Sequence, residues 1–213
     1  MNPSLPPRQH YADPLTRFLH RLVAHPWVYD QVQIAAGART TTQHLAAQVA
    51  LLSGASLVLD VGGGTGLYRG LWPESCAYLA TDLDIEKLVG FRAKYPNDPA
   101  LLADASALPL AAGSVDVVLC TFVSHHLPDS VLAAFLAESR RVLRRGGVFL
   151  FMDALWVPSR WPGRLLWRFD RGSFPRTATM LTEVIAEHYT LRHQERFAVW
   201  HEYMLLVGRK ESA

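Results

Sequence analysis

The chain has 213 residues, of which 50% are apolar and 19% charged, a composition that excludes an intrinsically disordered protein and suits a globular domain. Its formal charge of +2 at pH 7 is too small for the concentrated basic surface of a nucleic-acid-binding protein. No apolar run reaches the roughly 18–20 residues needed to span a bilayer, the N-terminus lacks a secretory pattern, and the two cysteines lie at no metal-motif spacing. We therefore expect a cytoplasmic protein that binds neither nucleic acid nor a metal.

A helical preamble is predicted over residues 1–53, because apolar residues recur at helical spacing between breaks at proline and glycine. Its last helix is expected near 40–52. Tyr11 and Tyr29 lie in this preamble and are predicted to close over the bound substrate and cofactor. Packing of both rings in the core is the alternative.

After the preamble, short apolar runs alternate with amphipathic segments. This alternation predicts an α/β protein with a Rossmann-like, doubly wound sheet. Segments 189–199 and 202–209 read as strands that follow each other directly, so this last pair must be antiparallel. The helix over 128–145 is predicted to end at Gly146-Gly147. The other strands are predicted near 57–61, 76–81, 99–103, 115–121 and 147–153, and the other helices near 67–72, 84–95 and 177–188.

A strand followed by a glycine-rich loop organises the chain. Val58-Leu59-Asp60-Val61 runs into Gly62-Gly63-Gly64-Thr65-Gly66, and a short helix is expected from Leu67 with its N-terminal amides at the mouth of the loop. These elements predict a ligand cradle at the carboxyl end of a parallel sheet. The dinucleotide pattern Gly-x-Gly-x-x-Gly fails because its third glycine falls on Leu67, and the Lys-Ser/Thr pair of a Walker loop is absent.

The pattern Gly62-x-Gly64-x-Gly66 after an apolar-Asp-apolar strand resembles motif I of the class I S-adenosylmethionine-dependent methyltransferases. The resemblance extends over about residues 45–209 and implies a mostly parallel sheet with an antiparallel last strand. It also implies a small-molecule enzyme related to those of ubiquinone and menaquinone biosynthesis, with S-adenosylmethionine as methyl donor and S-adenosylhomocysteine as product. Further segments similar to the family, in order, are Thr81-Asp82-Leu83-Asp84, Asp104 to Leu110, Ser114 to Cys120, and Arg141 to Gly147, where Arg145 replaces the family's proline.

The resemblance places the cofactor against the carboxyl ends of the first strands. It implies that Asp60 and the loop meet the amino-acid tail, Asp82 the ribose hydroxyls and Asp104 the adenine amine, with Leu83 and Ala105 around the ring. The structural alternatives are a loop brace for Asp60, a helix cap for Asp82 and a turn former for Asp104. The predicted cofactor residues are Asp60, Gly62, Gly63, Gly64, Gly66, Asp82, Leu83, Asp104, Ala105, Cys120 and Thr121.

Two adjacent histidines follow the fourth predicted strand, at the edge where ligands bind. In-line methyl transfer depends on alignment, and an oxygen or nitrogen acceptor can also need a base. His126 occupies the position that matches the family and His125 is additional; both are candidate catalytic residues, with packing or capping as the alternative. Asp153, at the end of the fifth strand, would orient an acceptor or cap the next segment. No carboxylate set or His/Cys cluster indicates a metal.

Residues 154–188 interrupt the alternation and are predicted to form a cap over the substrate. They contain three tryptophans and five arginines, and Arg160, Arg164 and Arg168 would share one helical face. The first interpretation is a cover over an apolar or aromatic acceptor, with arginine recognising an anionic group. The second is an interfacial surface for a membrane-resident acceptor, and the third is a solvated helix with tryptophans in the core. Trp156 and Arg164 are the predicted substrate contacts.

The predicted function is S-adenosylmethionine-dependent methyl transfer to a small-molecule acceptor by a single domain over residues 1–213. The acceptor is expected to be apolar or aromatic, with an anionic group as an option. Cyclase or lyase chemistry with the same cofactor is one alternative, and a non-catalytic cofactor-binding partner subunit is another. Membrane contact is the less favoured option for partners, and the oligomeric state is left open, a homodimer being one option.

Overall fold

The computed structural model describes residues 38–167 and 174–211. Tyr11, Tyr29, Arg168 and most of the helical preamble therefore lie outside the described residues.

Helices and strands alternate along the described chain. The longest helix of these ranges has 14 residues, and none in them is long and apolar enough to cross a membrane. The helices are α1 (Ala38–Ala50), α2 (Ile85–Lys94), α3 (Asp129–Val142), α4 (Trp161–Trp167) and α5 (Ala178–Ala186). The strands are β1 (Leu57–Val61), β2 (Ala77–Asp82), β3 (Ala100–Leu102), β4 (Val115–Thr121), β5 (Leu143–Leu155), β6 (Thr190–Ala198) and β7 (Glu202–Arg209).

The strands of the described residues form one seven-stranded sheet in the order β3-β2-β1-β4-β5-β7-β6. Strands β1 to β5 pair in parallel, β7 runs antiparallel to β5, and β6 runs antiparallel to β7. The predicted doubly wound, mostly parallel sheet with an antiparallel last strand is confirmed. Because the strand order reverses between β1 and β4, a ligand crevice is expected at their carboxyl ends.

Two hydrophobic layers cover the two faces of the sheet. Successive strand residues point to opposite faces, so Val118 packs in one layer with Phe135 of α3, and Leu119 packs in the other with Phe91 of α2. All four side chains are completely buried. Each contributes about 1.5–3 kcal/mol relative to an exposed position, and this double burial explains why the strands read as continuous apolar runs.

The prediction of a helix near 67–72 is wrong. The chain there forms turns and a short 3-10 helix, Arg69–Leu71. Gly66 adopts a left-handed conformation (φ +79°) and Pro73 follows closely, so the intervening segment is too short to form a stable α-helix. The segment that follows the loop therefore offers it no α-helix dipole.

The helix predicted over 128–145 ends at Val142, not at the glycine pair. Leu143 is completely buried and begins β5. The Gly146 amide donates to the Lys210 carbonyl oxygen at 2.9 Å. This bond extends the pairing of β5 with β7 beyond the last residue of β7. The pairing of β5 in the sheet, and not the glycine pair, therefore determines where this helix ends.

Candidate functional site at the carboxyl edge of the sheet

The loops that carry the predicted cofactor residues meet at the carboxyl edge of the sheet. Strand β1 ends at Val61, opposite Thr81 of β2, and β4 ends at Thr121, opposite Met152 of β5. We call the short 3-10 helix Ser124–His126 after β4 the histidine turn. The parallel pairing brings the glycine loop, the acidic end of β2 and the histidine turn to the same side of the molecule.

The glycine loop turns back onto the end of β2. The amides of Gly62 and Gly63 both donate to the Thr81 carbonyl oxygen, at 2.7 and 3.0 Å. The Gly64 amide donates to Asp82 Oδ2 at 3.0 Å. The loop is therefore braced by β2.

Only glycine fits at two positions of this loop. Gly62 (φ +71°) and Gly66 (φ +79°) both have left-handed backbones. A Cβ on Gly62 would lie 2.3 Å from Val123 Cγ2, and one on Gly66 would lie 2.6 Å from Phe91 Cδ2. The loop can therefore approach both the core and a ligand more closely than a loop of larger residues could.

Asp60 lies buried beneath the loop. Its Oδ2 accepts the hydroxyl proton of Tyr78 at 2.6 Å, and a Cβ on Gly63 would come within 2.5 Å of that oxygen. The other oxygen, Oδ1, is buried and has no hydrogen-bond partner among the described residues. Burial raises the pKa of Asp60 to about 7; the Tyr78 hydrogen bond opposes this shift and the charge of Asp82 adds to it. A buried carboxyl with an unpartnered oxygen suits a cationic ligand group.

Asp82 is half-buried and holds two backbone amides. Its Oδ2 accepts from Gly64 and its Oδ1 accepts from the Asp84 amide at 2.9 Å. The N-cap of α2 is Asp84, whose side chain accepts from Glu86 and Lys87, so Asp82 does not perform the capping role considered as its alternative. Each oxygen of Asp82 can accept a further hydrogen bond from a ligand hydroxyl.

Asp104 is exposed in the loop after β3. Its Oδ1 accepts from the Ser106 amide at 2.8 Å and from Ser106 Oγ at 2.7 Å, and these bonds lower its pKa. This geometry is that of a turn former and leaves the second carboxylate oxygen available to a ligand. Nearby, Leu83 is 69% exposed and Ala105 packs against the core. An exposed leucine next to Asp82 offers an apolar surface to a planar ring.

A buried polar cluster lies between the ends of β4 and β5. Asp153 is completely buried and accepts four hydrogen bonds, from Ser124 Oγ (2.5 Å), the amides of His125 (3.2 Å) and Ala154 (2.7 Å), and His125 Nδ1 (2.6 Å). Burial raises the pKa of Asp153, but the charge and ring bond of His125 and the bonds from Ser124 and Ala154 outweigh it and hold the pKa below its ordinary value. Asp153 is therefore a carboxylate that orients His125.

The two histidines differ in environment. His125 is 6% exposed and His126 is exposed, with their ring centroids 4.2 Å apart. Because His125 Nδ1 donates to a carboxylate, Nε2 is the basic nitrogen of that ring. Trp167 of α4 meets the His125 ring edge-on at 5.5 Å, so part of the predicted cap covers this histidine.

Phe122, the first residue after β4, adopts a left-handed backbone (φ +58°). Its ring packs at 5.8 Å from Tyr203 and 6.3 Å from Tyr68. Such a conformation costs a bulky residue about 1–3 kcal/mol and tends to occur at functional sites. It directs the chain from β4 into the histidine turn.

Arg176 joins the cap to the histidine turn through hydrogen bonds. Its guanidinium is nearly buried and donates to the carbonyl oxygens of Ser124 (2.6 Å) and Leu127 (2.7 Å) and to Asp129 Oδ1 (2.5 Å). Sequence reasoning counted Arg176 only among the five arginines of the cap and missed Tyr78, because neither contact carries a spacing signal. The histidine turn and the cap are therefore one packed unit.

The remaining predicted residues lie at different depths. Cys120 is completely buried in the core, where burial raises the pKa of its thiol well above the ordinary value, and Thr121 is buried at the end of β4. Trp156 is half-buried against the hydrophobic cluster of Ala154, Trp167 and Tyr203. Arg164 is exposed on α4. In the ranges that the structure covers, no group of three or more His, Cys, Asp or Glu side chains could hold a metal ion.

A doubly wound sheet with a glycine loop after β1 and an acidic end on β2 is typical of α/β domains that bind a nucleoside cofactor. The carboxyl groups of Asp60 and Asp82 would repel phosphates, and they suit a cationic nucleoside with ribose hydroxyls. The unpartnered Asp60 oxygen fits such a group.

Comparison with known proteins finds methyltransferases. The methyltransferase domain family matches residues 59–151. An uncharacterized methyltransferase of Mycobacterium sp. strain KMS is 29% identical over 149 residues, covering 67% of this chain and 53% of that protein. A malonyl-[acyl-carrier protein] O-methyltransferase of Hamiltonella defensa is 36% identical over 97 residues, covering 45% and 37%. The chain thus spans about half the length of these curated relatives, or less.

The fold is similar to that of the YcgJ protein from Bacillus subtilis, with a TM-score of 0.67 at 15% identity over 80% of this chain and 100% of that one. The family match and the curated relatives support a class I S-adenosylmethionine-dependent methyltransferase, and the likeness to YcgJ supports its fold.

Proposed function

We propose that the chain transfers a methyl group from S-adenosylmethionine to a small-molecule acceptor. The observation that carries the proposal is the buried, unpartnered Asp60 oxygen beneath a glycine loop that Asp82 braces. When bound, the cofactor supplies a methyl group on a positively charged sulfur. Asp60 would hold the cationic amino group of its tail, Asp82 the ribose hydroxyls and Asp104 the adenine amine, while Leu83 covers the ring.

We assign the role of general base to His125. Transfer to an acceptor hydroxyl or amine would break the carbon–sulfur bond of the cofactor, leave its electrons on sulfur as S-adenosylhomocysteine, and release the acceptor proton. His125 Nε2 takes the acceptor proton, and Asp153 stabilises the imidazolium. The 2.6 Å bond between Nδ1 and Asp153 supports this assignment.

The aromatic rings at this edge support an apolar or aromatic acceptor. Phe122, Trp167 and Tyr203 gather next to the histidine turn, and flat rings orient such a molecule at little entropic cost. The quinone-related branch, the cytoplasmic location and a single domain over residues 1–213, with its cap over 154–188, remain predictions.

Isothermal titration with S-adenosylmethionine tests the cofactor site. Asp82→Ala should weaken binding about tenfold or more, because it removes charge-assisted hydrogen bonds and the brace on Gly64. Glu86→Ala is the matched control, since Glu86 is an exposed acid of the adjoining helix. Its affinity should equal that of the unmodified chain.

Two outcomes would contradict the proposal. The first is binding of NAD without binding of S-adenosylmethionine. The second is tight cofactor binding without methyl transfer to any acceptor together with a tightly copurifying protein, which would favour a partner subunit.

A further inference from the structure

Large apolar side chains lie on the outer face of the cap. Trp161 is 71% exposed and Leu165 is 50% exposed, and a spacing of four puts them on the same face of α4. Trp200, in the turn between β6 and β7, is 54% exposed. Single exposed apolar residues are ordinary, but a group that includes two tryptophans marks an interaction surface.

These three side chains belong to one surface because α4 packs on the β6–β7 turn. The Arg160 guanidinium donates to the carbonyl oxygens of Val199 (2.7 Å) and Trp200 (3.2 Å). A Cβ on Gly163 would lie 3.8 Å from the Trp200 carbonyl oxygen, so the helix backbone nearly contacts the turn. We call Trp161, Leu165 and Trp200 the outer aromatic surface.

The opposite face of α4 lies on the proposed reaction centre. Gly163 and Trp167 are buried. Trp167 meets the His125 ring at 5.5 Å and its Nε1 donates to the Leu155 carbonyl oxygen at 3.4 Å. One short helix therefore separates the histidine from the outer aromatic surface.

The charges around this surface favour contact with an anionic partner. Residues 154–167 contain two arginines and no acid, and Arg164 is exposed between Trp161 and Leu165. The acid at the base of the neighbouring turn, Glu202, is paired with Arg196. Tryptophan prefers the boundary between lipid and water, and arginine is attracted to anionic headgroups.

We propose that the outer aromatic surface rests on an anionic membrane and that the acceptor is a lipid-dissolved molecule reaching His125 from the side of α4. The surface follows from exposure and charge alone, whereas the acceptor class rests on the proposed methyl transfer. The two can fail separately, because membrane binding and cofactor binding are measured separately.

Co-sedimentation of the full chain with large unilamellar vesicles tests the surface. Binding is expected to vesicles of equal parts phosphatidylcholine and phosphatidylglycerol. The double change Trp161→Glu and Trp200→Glu should weaken it about tenfold or more, because charged groups replace inserted rings. Arg164→Gln should weaken binding about fivefold on these vesicles and leave binding to pure phosphatidylcholine unchanged.

The matched control is Leu51→Glu. Leu51 is 77% exposed and precedes β1, at the opposite edge of the sheet, so vesicle binding should be unchanged. All variants should keep the affinity of the unmodified chain for S-adenosylmethionine, which reports a folded cofactor site.

Absence of vesicle binding with intact cofactor binding would overturn the membrane surface alone. Loss of self-association in the Trp161→Glu, Trp200→Glu chain, seen by sedimentation velocity without any vesicle binding, would also overturn it, since the surface would then join two copies. Vesicle binding without S-adenosylmethionine binding would overturn the proposed function and the acceptor class while leaving the surface in place.

Discussion

Two aspartates at the carboxyl edge are equally buried yet have opposite pKa shifts. Asp60 accepts one side-chain hydrogen bond and its pKa is raised to about 7, whereas Asp153 accepts four and its pKa is lowered. At Asp153 the charge of His125 and the four donors outweigh the penalty of burial, whereas at Asp60 a single donor does not outweigh it and the charge of Asp82 adds to it. Asp153 is thus a fixed negative charge for His125, and Asp60 is a carboxyl that titrates near neutral pH.

His125→Ala should lower the rate of methyl transfer about 10²-fold or more, because a positioned base is lost. Asp153→Asn should lower it as well, since an amide no longer fixes the Nδ1 proton. Transfer of tritium from methyl-labelled S-adenosylmethionine into a lipid extract measures the rate, and titration checks that cofactor affinity is kept. His126→Ala is the comparison and should cost less than tenfold; equal losses for both histidines would contradict the assignment.

At the level of whole elements, the buried strands follow from local sequence. Strand β4 lies over Val115–Thr121, as predicted, because an apolar run buried on both faces is distinct in sequence. The pairing of β5 could not be predicted, because it depends on Lys210, far along the chain.

The same holds at the site. The glycine loop is a local pattern, whereas the partners that define its chemistry, Tyr78 for Asp60 and Arg176 for the histidine turn, lie 18 or more residues away.

The glycine loop should tolerate no side chain at Gly62. Gly113 also has a left-handed backbone (φ +69°), but a Cβ there would find its nearest neighbour at 4.0 Å. Gly113→Ala should therefore cost only the backbone penalty, about 1–2 kcal/mol of unfolding free energy. Gly62→Ala adds the clash with Val123 and should cost more. Urea unfolding measures both values.

Val123→Ala provides the decisive control for this difference, because it removes the methyl group that a Cβ on Gly62 would meet at 2.3 Å. The double variant should recover the clash contribution, so that its cost relative to Val123→Ala approaches that of Gly113→Ala. An unchanged cost of Gly62→Ala in the Val123→Ala background would show that the steric explanation is wrong.

For the molecule as a whole, Asp60 couples cofactor binding to folding. Its folded-state pKa of about 7 exceeds the unfolded value of about 3.9. The contribution of Asp60 to stability is therefore fully present below about pH 4 and is lost as the pH rises through 7, an effect of about 4 kcal/mol. A cationic ligand group next to the carboxylate offsets this loss, so S-adenosylmethionine should stabilise the chain more at pH 7 than at pH 5.5.

The affinity for S-adenosylmethionine should therefore rise with pH, by roughly tenfold per pH unit below pH 7, because Asp60 must lose a proton to meet the cation. Titrations between pH 5.5 and 7, in buffers of different ionisation enthalpy, should detect proton release. Asp60→Asn should bind weakly at every pH and release no proton. Asp104→Asn is the comparison: the pKa of Asp104 is lowered, so its loss should shift affinity by a pH-independent factor. A slope that survives in Asp60→Asn would place the titrating group elsewhere.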